Sequence, residues 1–382
     1  MARQFYFSWY VRNWEEDRLL RWVNLVQFIG KGDYIAEESY DYWRGRGAFV
    51  YPGLGWRGAK TPEQFSEYLA DKSKPYGGLI YDEVLGYSND KMREDAKVQG
   101  IKLFTEQHPE SFTAVYIGGS LKPVLCNLSR RDTYDHFDEQ APDKTGVDLL
   151  LLECYNNYQI AGFNSRHPYA YLDQRIRVAR DYDVLEHSLM ILGYAGVEDP
   201  DRESSGRGPY WVTKPKLEDQ VRYVRQNAPS MPGIGFYGHP NSKDVIDWNE
   251  MITFADSLCL KYFINPVITA YDHDIHLSPT TPEAGEEVTI KAEIHNIGGM
   301  DAENVDVTFY DGAPQKGGEK IGDSIKIDAV PADESVPPGR YTIEQPWTPT
   351  SGHHTIYLSL TSDNDKVTVL NSLVKRQVTV RE

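Results

Sequence analysis

Gly77-Gly78-Leu79-Ile80-Tyr81-Asp82-Glu83 and Leu149-Leu150-Leu151-Leu152-Glu153-Cys154-Tyr155 are two short apolar runs, each ending in carboxylate. A run too short for a helix and apolar at every position reads as a strand covered on both faces, the strand of a parallel sheet under helices. Folds of that kind gather their chemistry at the C-terminal ends of the strands, where Asp82, Glu83 and Glu153 stand.

Similar runs recur on either side, at 5–10, 25–29, 48–51, 112–117, 189–194 and 233–237, and with 78–83 and 148–155 they make eight strands. Helix signals lie between them. Thr61-Pro62-Glu63-Gln64 places a capping threonine, a proline at the first helical position and glutamine at the third, which starts a helix. Residues 90–104 carry Met92, Ala96 and Leu103 on a charged background, and 171–185 alternate arginine with apolar residues at helical spacing. Strand then helix, repeated over residues 1–268, predicts an α/β fold, a (β/α)8 TIM barrel.

The pattern changes beyond Asn265-Pro266. Val288, Ile290, Ala292 and Ile294 alternate with Thr289, Lys291 and Glu293, and Val305, Val307 and Phe309 alternate with Asp306 and Thr308. Period-2 alternation belongs to antiparallel strands with one dry and one wet face. With further runs near 321–330, 340–347, 354–361 and 373–380, residues 274–382 read as an all-β, immunoglobulin-like sandwich.

Within this module Val288-x-Ile290-x-Ala292-x-Ile294-His295-Asn296-Ile297-Gly298 is followed by Ala302-x-Asn304-Val305-x-Val307-x-Phe309-Tyr310-Asp311-Gly312. Gly317-Gly318-x-x-Ile321-Gly322 and Trp347-x-x-x-x-Gly352-x-His354 then come in order. The series resembles the CARDB domain, the cell-adhesion-related domain of bacteria. That resemblance implies an accessory sandwich of extracellular or cell-surface proteins, without catalytic residues.

Composition narrows the function. The chain has 382 residues and a formal net charge of −17, with no cluster of lysine and arginine to neutralise phosphates, so nucleic acid is not an expected partner. No stretch has the length and apolarity of a membrane span. The start, Met1-Ala2-Arg3-Gln4, lacks the apolar core of a signal peptide, so the extracellular location implied by the sandwich requires a signal absent from this sequence. Cys126, Cys154 and Cys259 are odd in number and lack metal-ligand spacing, and read as buried thiols.

Two acids facing each other across a pocket suit a glycosidic bond, where one carboxyl donates a proton and the other acts as nucleophile or base. The barrel pattern resembles glycoside hydrolase barrels in general. In the α-galactosidase clan the strand-four acid is the nucleophile and the strand-six acid the acid/base, which implies those roles for Asp82 and Glu153, although that clan carries aspartate where Glu153 stands. Chitinase-like barrels use a glutamate at the end of strand four as proton donor; Glu83 matches it, while Gly78, Ile80 and Tyr81 replace the acids that precede it there. Adjacent strand residues point to opposite sides, so Asp82 and Glu83 are expected to divide into one reacting and one supporting group.

Sugar rings are bound on aromatic platforms. Trp9 ends the first strand, Tyr51 and Trp56 follow the third, Tyr155 the sixth, Tyr194 ends the seventh, and Tyr237 with His239 ends the eighth; all seven are expected to line the carbohydrate site. The long polar loop 196–214 reads as a lid or binding loop. Rival functions are a non-catalytic carbohydrate- or surface-binding protein on a degenerate barrel, and a polysaccharide lyase or transglycosidase.

Other chemistries lack support. No His-x-His ends strand one, no lysine lies in strand six, and no nucleophile elbow is present. Gly193-Tyr194-Ala195-Gly196 and Gly233-Ile234-Gly235 have no following basic residue to hold phosphate. Tyr271-Asp272-His273-Asp274-Ile275-His276 has metal-ligating side chains but lies at the domain junction, where no open pocket is implied; no metal and no cofactor is expected.

Overall fold

The structure is a computed structural model, and it describes residues 6–11, 18–28, 37–55, 61–82, 91–117, 147–154, 169–181, 184–193, 195–196, 211–237, 248–333, 335–336 and 338–382. It divides into two compact units, residues 1–224 with 230–259, and residues 225–229 with 260–382.

The first unit is a closed barrel of eight strands: β1 (Tyr6–Val11), β2 (Leu25–Phe28), β3 (Phe49–Leu54), β4 (Gly78–Tyr81), β5 (Phe112–Ile117), β6 (Leu149–Cys154), β7 (Ser188–Gly193) and β8 (Gly233–Tyr237). Each pairs in parallel with its sequence neighbours, and β8 closes on β1 with Phe7 opposite Ile234. These are the eight strands expected from the sequence. Six described helices are α1 (Glu37–Gly45), α2 (Pro62–Ser73), α3 (Lys91–Gln107), α4 (Ala170–Asp181), α5 (Lys214–Asn227) and α6 (Trp248–Cys259).

Local rules place several of them. The Thr61 hydroxyl accepts from the Gln64 amide at 3.3 Å, capping α2 as its sequence predicts. Gly100 lets α3 lie close on α2, because a Cβ there would come within 2.7 Å of the Phe65 ring. In α6 the Asp256 carboxylate accepts from the backbone amides of Arg21 and Trp22 at 3.0 and 2.9 Å, fixing the segment between β1 and β2.

The barrel lumen is filled by alternate residues. Leu25 of β2, Tyr51 of β3, Ile80 of β4, Ala114 and Tyr116 of β5, Leu149 and Leu151 of β6, and Leu189 and Ile191 of β7 form one buried cluster. Intervening residues such as Val26, Leu79, Val115 and Leu150 are equally buried on the other face, which is why these strands read as unbroken apolar runs.

The second unit is a sandwich of two sheets, antiparallel except where Val267–Thr269 pairs in parallel with Thr368–Val369. One contains β9 (Val267–Thr269), β10 (Ile275–Ser278), β11 (Val288–Asn296), β14 (Tyr341–Trp347) and β16 (Thr368–Val369); the other contains β12 (Ala302–Asp311), β13 (Glu319–Val330), β15 (Gly352–Ser362) and β17 (Leu373–Val380). Val288, Ile290, Ala292 and Ile294 meet Val305, Val307 and Phe309 between the sheets, the alternation having set the dry face. Residues 225–229 join this unit through Arg225, whose buried guanidinium donates to the carbonyls of Ile297, Pro229 and Gly298.

Candidate active site at the barrel mouth

The floor of the lumen is aromatic. Tyr51 stacks on Phe112 with centroids 4.7 Å apart and planes 9° apart, and Phe49 stacks on the same ring at 6.1 Å. Tyr6 tilts against Phe49 and Phe112. Tyr6, Phe49 and Phe112 begin or nearly begin their strands, so this layer lies toward the N-terminal end of the barrel. Burial, and next the nearby Asp148 carboxylate, push the Tyr51 phenol up to about 12. Tyr51 therefore belongs to the packed floor.

The opposite end is polar. Asp82 follows Ile80 at the strand period, and its amide donates to the Leu54 carbonyl at 2.8 Å, extending the β3–β4 ladder by one residue. Glu153 follows Leu151 in the same way on β6 and is buried. Between them runs β5, whose lumen residue at this level is Tyr116. The Tyr116 phenol is driven well above its ordinary value, first by burial and then by the charge of Asp82, with Glu153 and Tyr237 adding to it; the Ser8 hydroxyl acts in the other direction. A single buried phenol thus senses the strand-four acid, the strand-six acid and the last residue of β8.

The neighbouring residues show how the strands aim these side chains. Cys154, next to Glu153, points to the opposite face, where burial pushes its thiol up to about 12 and Arg175 of α4 opposes the shift. Gly235 of β8 makes room at the centre: a Cβ there would lie 2.4 Å from Ile191 and 2.9 Å from the Cβ of Ser8. Ser8 and Gln27 add buried polar groups in register with lumen residues, Ser8 opposite Leu25 and Gln27 opposite Tyr51. Neither the Ser8 hydroxyl nor the Gln27 carbonyl oxygen makes a hydrogen bond of good geometry among the described residues.

Of the residues chosen from sequence, Asp82, Glu153 and Tyr237 each act electrostatically on Tyr116. Trp9 stands on the face of β1 opposite Ser8, packed against Phe236 at 6.1 Å, so its ring is outside the lumen. Glu83, Trp56, Tyr155, Tyr194 and His239 lie outside the described residues. Tyr116, Ser8 and Gln27 were not singled out by sequence reasoning. The signal for Tyr116 was its period-2 spacing from Phe112 and Ala114 on the strand between the two acids.

Chemically, the arrangement offers two carboxyl groups and a phenol that stays protonated throughout the working pH range. Such a phenol is a fixed neutral hydrogen-bond donor. No helix among the described residues is long and apolar enough to cross a membrane.

The class defined by this fold is a TIM barrel followed by an immunoglobulin-like sandwich. A CARDB domain matches residues 267–369, within the C-terminal unit. A solution structure of GmR58A from Geobacter metallireducens is 31% identical, covering 28% of this chain and 93% of that one, with a TM-score of 0.23. The CARDB domain of the PF1109 protein from Pyrococcus furiosus, solved in complex with di-metal ions, is 16% identical, covering 31% of this chain and 90% of that one at a TM-score of 0.21. On the barrel side, active domain 2 of a chitinase from Pyrococcus furiosus is 11% identical, covering 68% of this chain and 97% of that one at a TM-score of 0.43. No curated protein matches the chain.

Proposed function

We propose that the barrel is a glycoside hydrolase that cleaves a glycosidic bond of an oligo- or polysaccharide between Asp82 and Glu153, with the CARDB domain as an extracellular accessory module. The observation that carries this reading is the Tyr116 phenol, which lies within electrostatic reach of both carboxyl groups at the C-terminal end of the barrel. Neutral sugars need no cluster of acids for binding alone; paired carboxyls serve proton transfer and charge stabilisation at the anomeric carbon.

In the proposed reaction one carboxyl protonates the leaving oxygen while the other, as carboxylate, attacks the anomeric carbon or activates water. A gap of about 5–5.5 Å between the carboxyls would give retention, and about 6.5–9.5 Å inversion. Tyr116, neutral and fixed, donates to whichever oxygen carries negative charge. Tyr237, half-buried at the end of β8, offers an aromatic ring on which a sugar face can pack.

The test is a panel of aryl glycosides and oligosaccharides assayed with the parent, Glu153→Gln and Asp82→Asn, each first shown to melt like the parent. Loss of about 10² to 10⁴ in rate for both variants supports the pair. Near-parental turnover by Glu153→Gln removes β6 from the mechanism, and a parent that binds a glycan without cleaving any favours a binding protein.

A further inference from the structure

A second cluster lies in the CARDB unit, on the outer face of its first sheet. β9 and β10 both pair antiparallel to β11, with Thr269 opposite His295 and Ile275 opposite Ala292. Five residues, 270–274, therefore span the stretch where β11 has only Glu293 and Ile294. The excess is taken up by a 3₁₀ turn over Asp272–Asp274, and the Asp274 carboxylate is held by the Tyr271 amide at 2.8 Å.

Glu293 and His295 alternate with Ala292 and Ile294, so they face away from the sandwich core. An outward histidine on such a strand is ordinarily wet, yet His295 is only 1% exposed. Neither of its ring nitrogens makes a hydrogen bond of good geometry among the described residues. Its Nε2 lies 3.2 Å from an Asp274 carboxylate oxygen, and one ligating atom each from Asp274, Glu293 and His295 falls within 4.8 Å of the others. Buried polar groups are normally paired, and an imidazole edge against two carboxylates calls for an explanation.

We propose that Asp274, Glu293 and His295 bind a divalent cation of the Zn²⁺ class. The donor set is one imidazole and two carboxylates, which suits a borderline ion better than Mg²⁺ or Ca²⁺, whose sites are all oxygen. Ligands about 2.1 Å from a tetrahedral ion stand about 3.4 Å apart, close to the His295–Asp274 separation. Glu293 is half-buried on a long side chain and has to draw in slightly. It does so in competition with Arg340, whose Nε lies 3.4 Å from it. That pair is partly exposed and weak. The exposed His273, its Nε2 3.8 Å from the other Asp274 oxygen, leaves the fourth position to itself or to water. Bound there, the ion pins the 270–274 excursion to β11.

The experiment uses the full chain, stripped with chelator and titrated calorimetrically with Zn²⁺, then with Mg²⁺ and Ca²⁺, with melting followed in parallel. The expected result is one Zn²⁺ per chain, at least about tenfold weaker binding of the two hard ions, a raised melting temperature, and at least tenfold weaker Zn²⁺ binding in Glu293→Gln. Glu293 is partly exposed, so this variant keeps its fold; Asp274→Asn is the second. Absence of Zn²⁺ binding by the parent overturns the proposal. So does binding that both substitutions leave unchanged, because the ion then sits elsewhere, and His295 is simply paired with Asp274.

Discussion

Tyr51 occupies the space that a side chain on Gly78 would need: a Cβ there would lie 2.6 Å from the Tyr51 ring and 2.6 Å from the Phe112 carbonyl oxygen. β4 gives up a side chain so that the aromatic residues of β3 and β5 can stack across it. The Gly77-Gly78 pair is thus two different requirements, because Gly77 has open space around its Cβ position but a φ of +72°.

Gly78→Ala is therefore expected to destabilise the barrel by about 1–3 kcal/mol, since one of its clashes is with backbone and cannot be relieved by a rotamer change. Gly77→Ala is expected to cost about 1 kcal/mol through its left-handed backbone alone. Urea denaturation of the two variants measures both, and equal or negligible losses would contradict this account of the floor.

Tyr51 also governs the response to alkali. An exposed phenol ionises near 10, and in the fold this one is pushed up to about 12. Between those values the unfolded chain has released the proton and the folded chain retains it, so stability is full below pH 10 and falls as pH rises toward 12. Tyr51→Phe should lessen that fall and remove one late-titrating tyrosine from the phenolate absorbance. Parallel stability curves for parent and variant in this window would show that Tyr51 does not contribute to it.

How much of this was legible in the sequence differs from strand to strand. Leu149 to Glu153 and Gly78 to Asp82 announced themselves, because strands buried on both faces are apolar at every position and the first acid marks the mouth. Which face a residue takes is another matter. In β1, aromatic residues stand at both parities, Tyr6 inward and Phe7 and Trp9 outward, so side-chain type does not reveal orientation, and Trp9 at a strand end looks like a platform. Ser8, the small residue among them, shares the lumen face with Tyr6. The Asp274–Glu293–His295 cluster depends on the offset between β9 and β10 along β11, a non-local pairing that no local pattern encodes.

Asn296 carries a separate prediction. Its buried amide donates to the carbonyls of Met300 and Val330 at 2.8 and 3.0 Å and accepts from the amides of Val267 and Gly298 at 3.1 and 3.0 Å. Asn296→Ala leaves four backbone groups without these partners and should destabilise the CARDB unit by more than about 3 kcal/mol. Asn296→Asp should also destabilise it, because a carboxylate oxygen then faces two carbonyls. Hydrogen exchange over 267–300 in the full chain reads the effect directly, and parental protection in Asn296→Ala would show that the network is dispensable.

Tyr116 gives the sharpest test of the barrel mouth. Its hydroxyl is buried, and burial first, then the charges of Asp82 and Glu153, push its ionisation well above the ordinary value. Tyr116→Phe retains the ring that packs in the lumen cluster and removes only the donor. If the phenol stabilises charge as the bond breaks, the loss falls on kcat, by about 10² to 10³ as for other single donors to developing charge, with KM little changed. If Tyr116 only fills space, the variant keeps parental kcat and melts at or above the parental temperature, since a buried hydroxyl has been exchanged for hydrogen. Steady-state kinetics on any glycoside the parent cleaves, read beside the melting curve, separates a residue that serves the reaction from one that serves the fold.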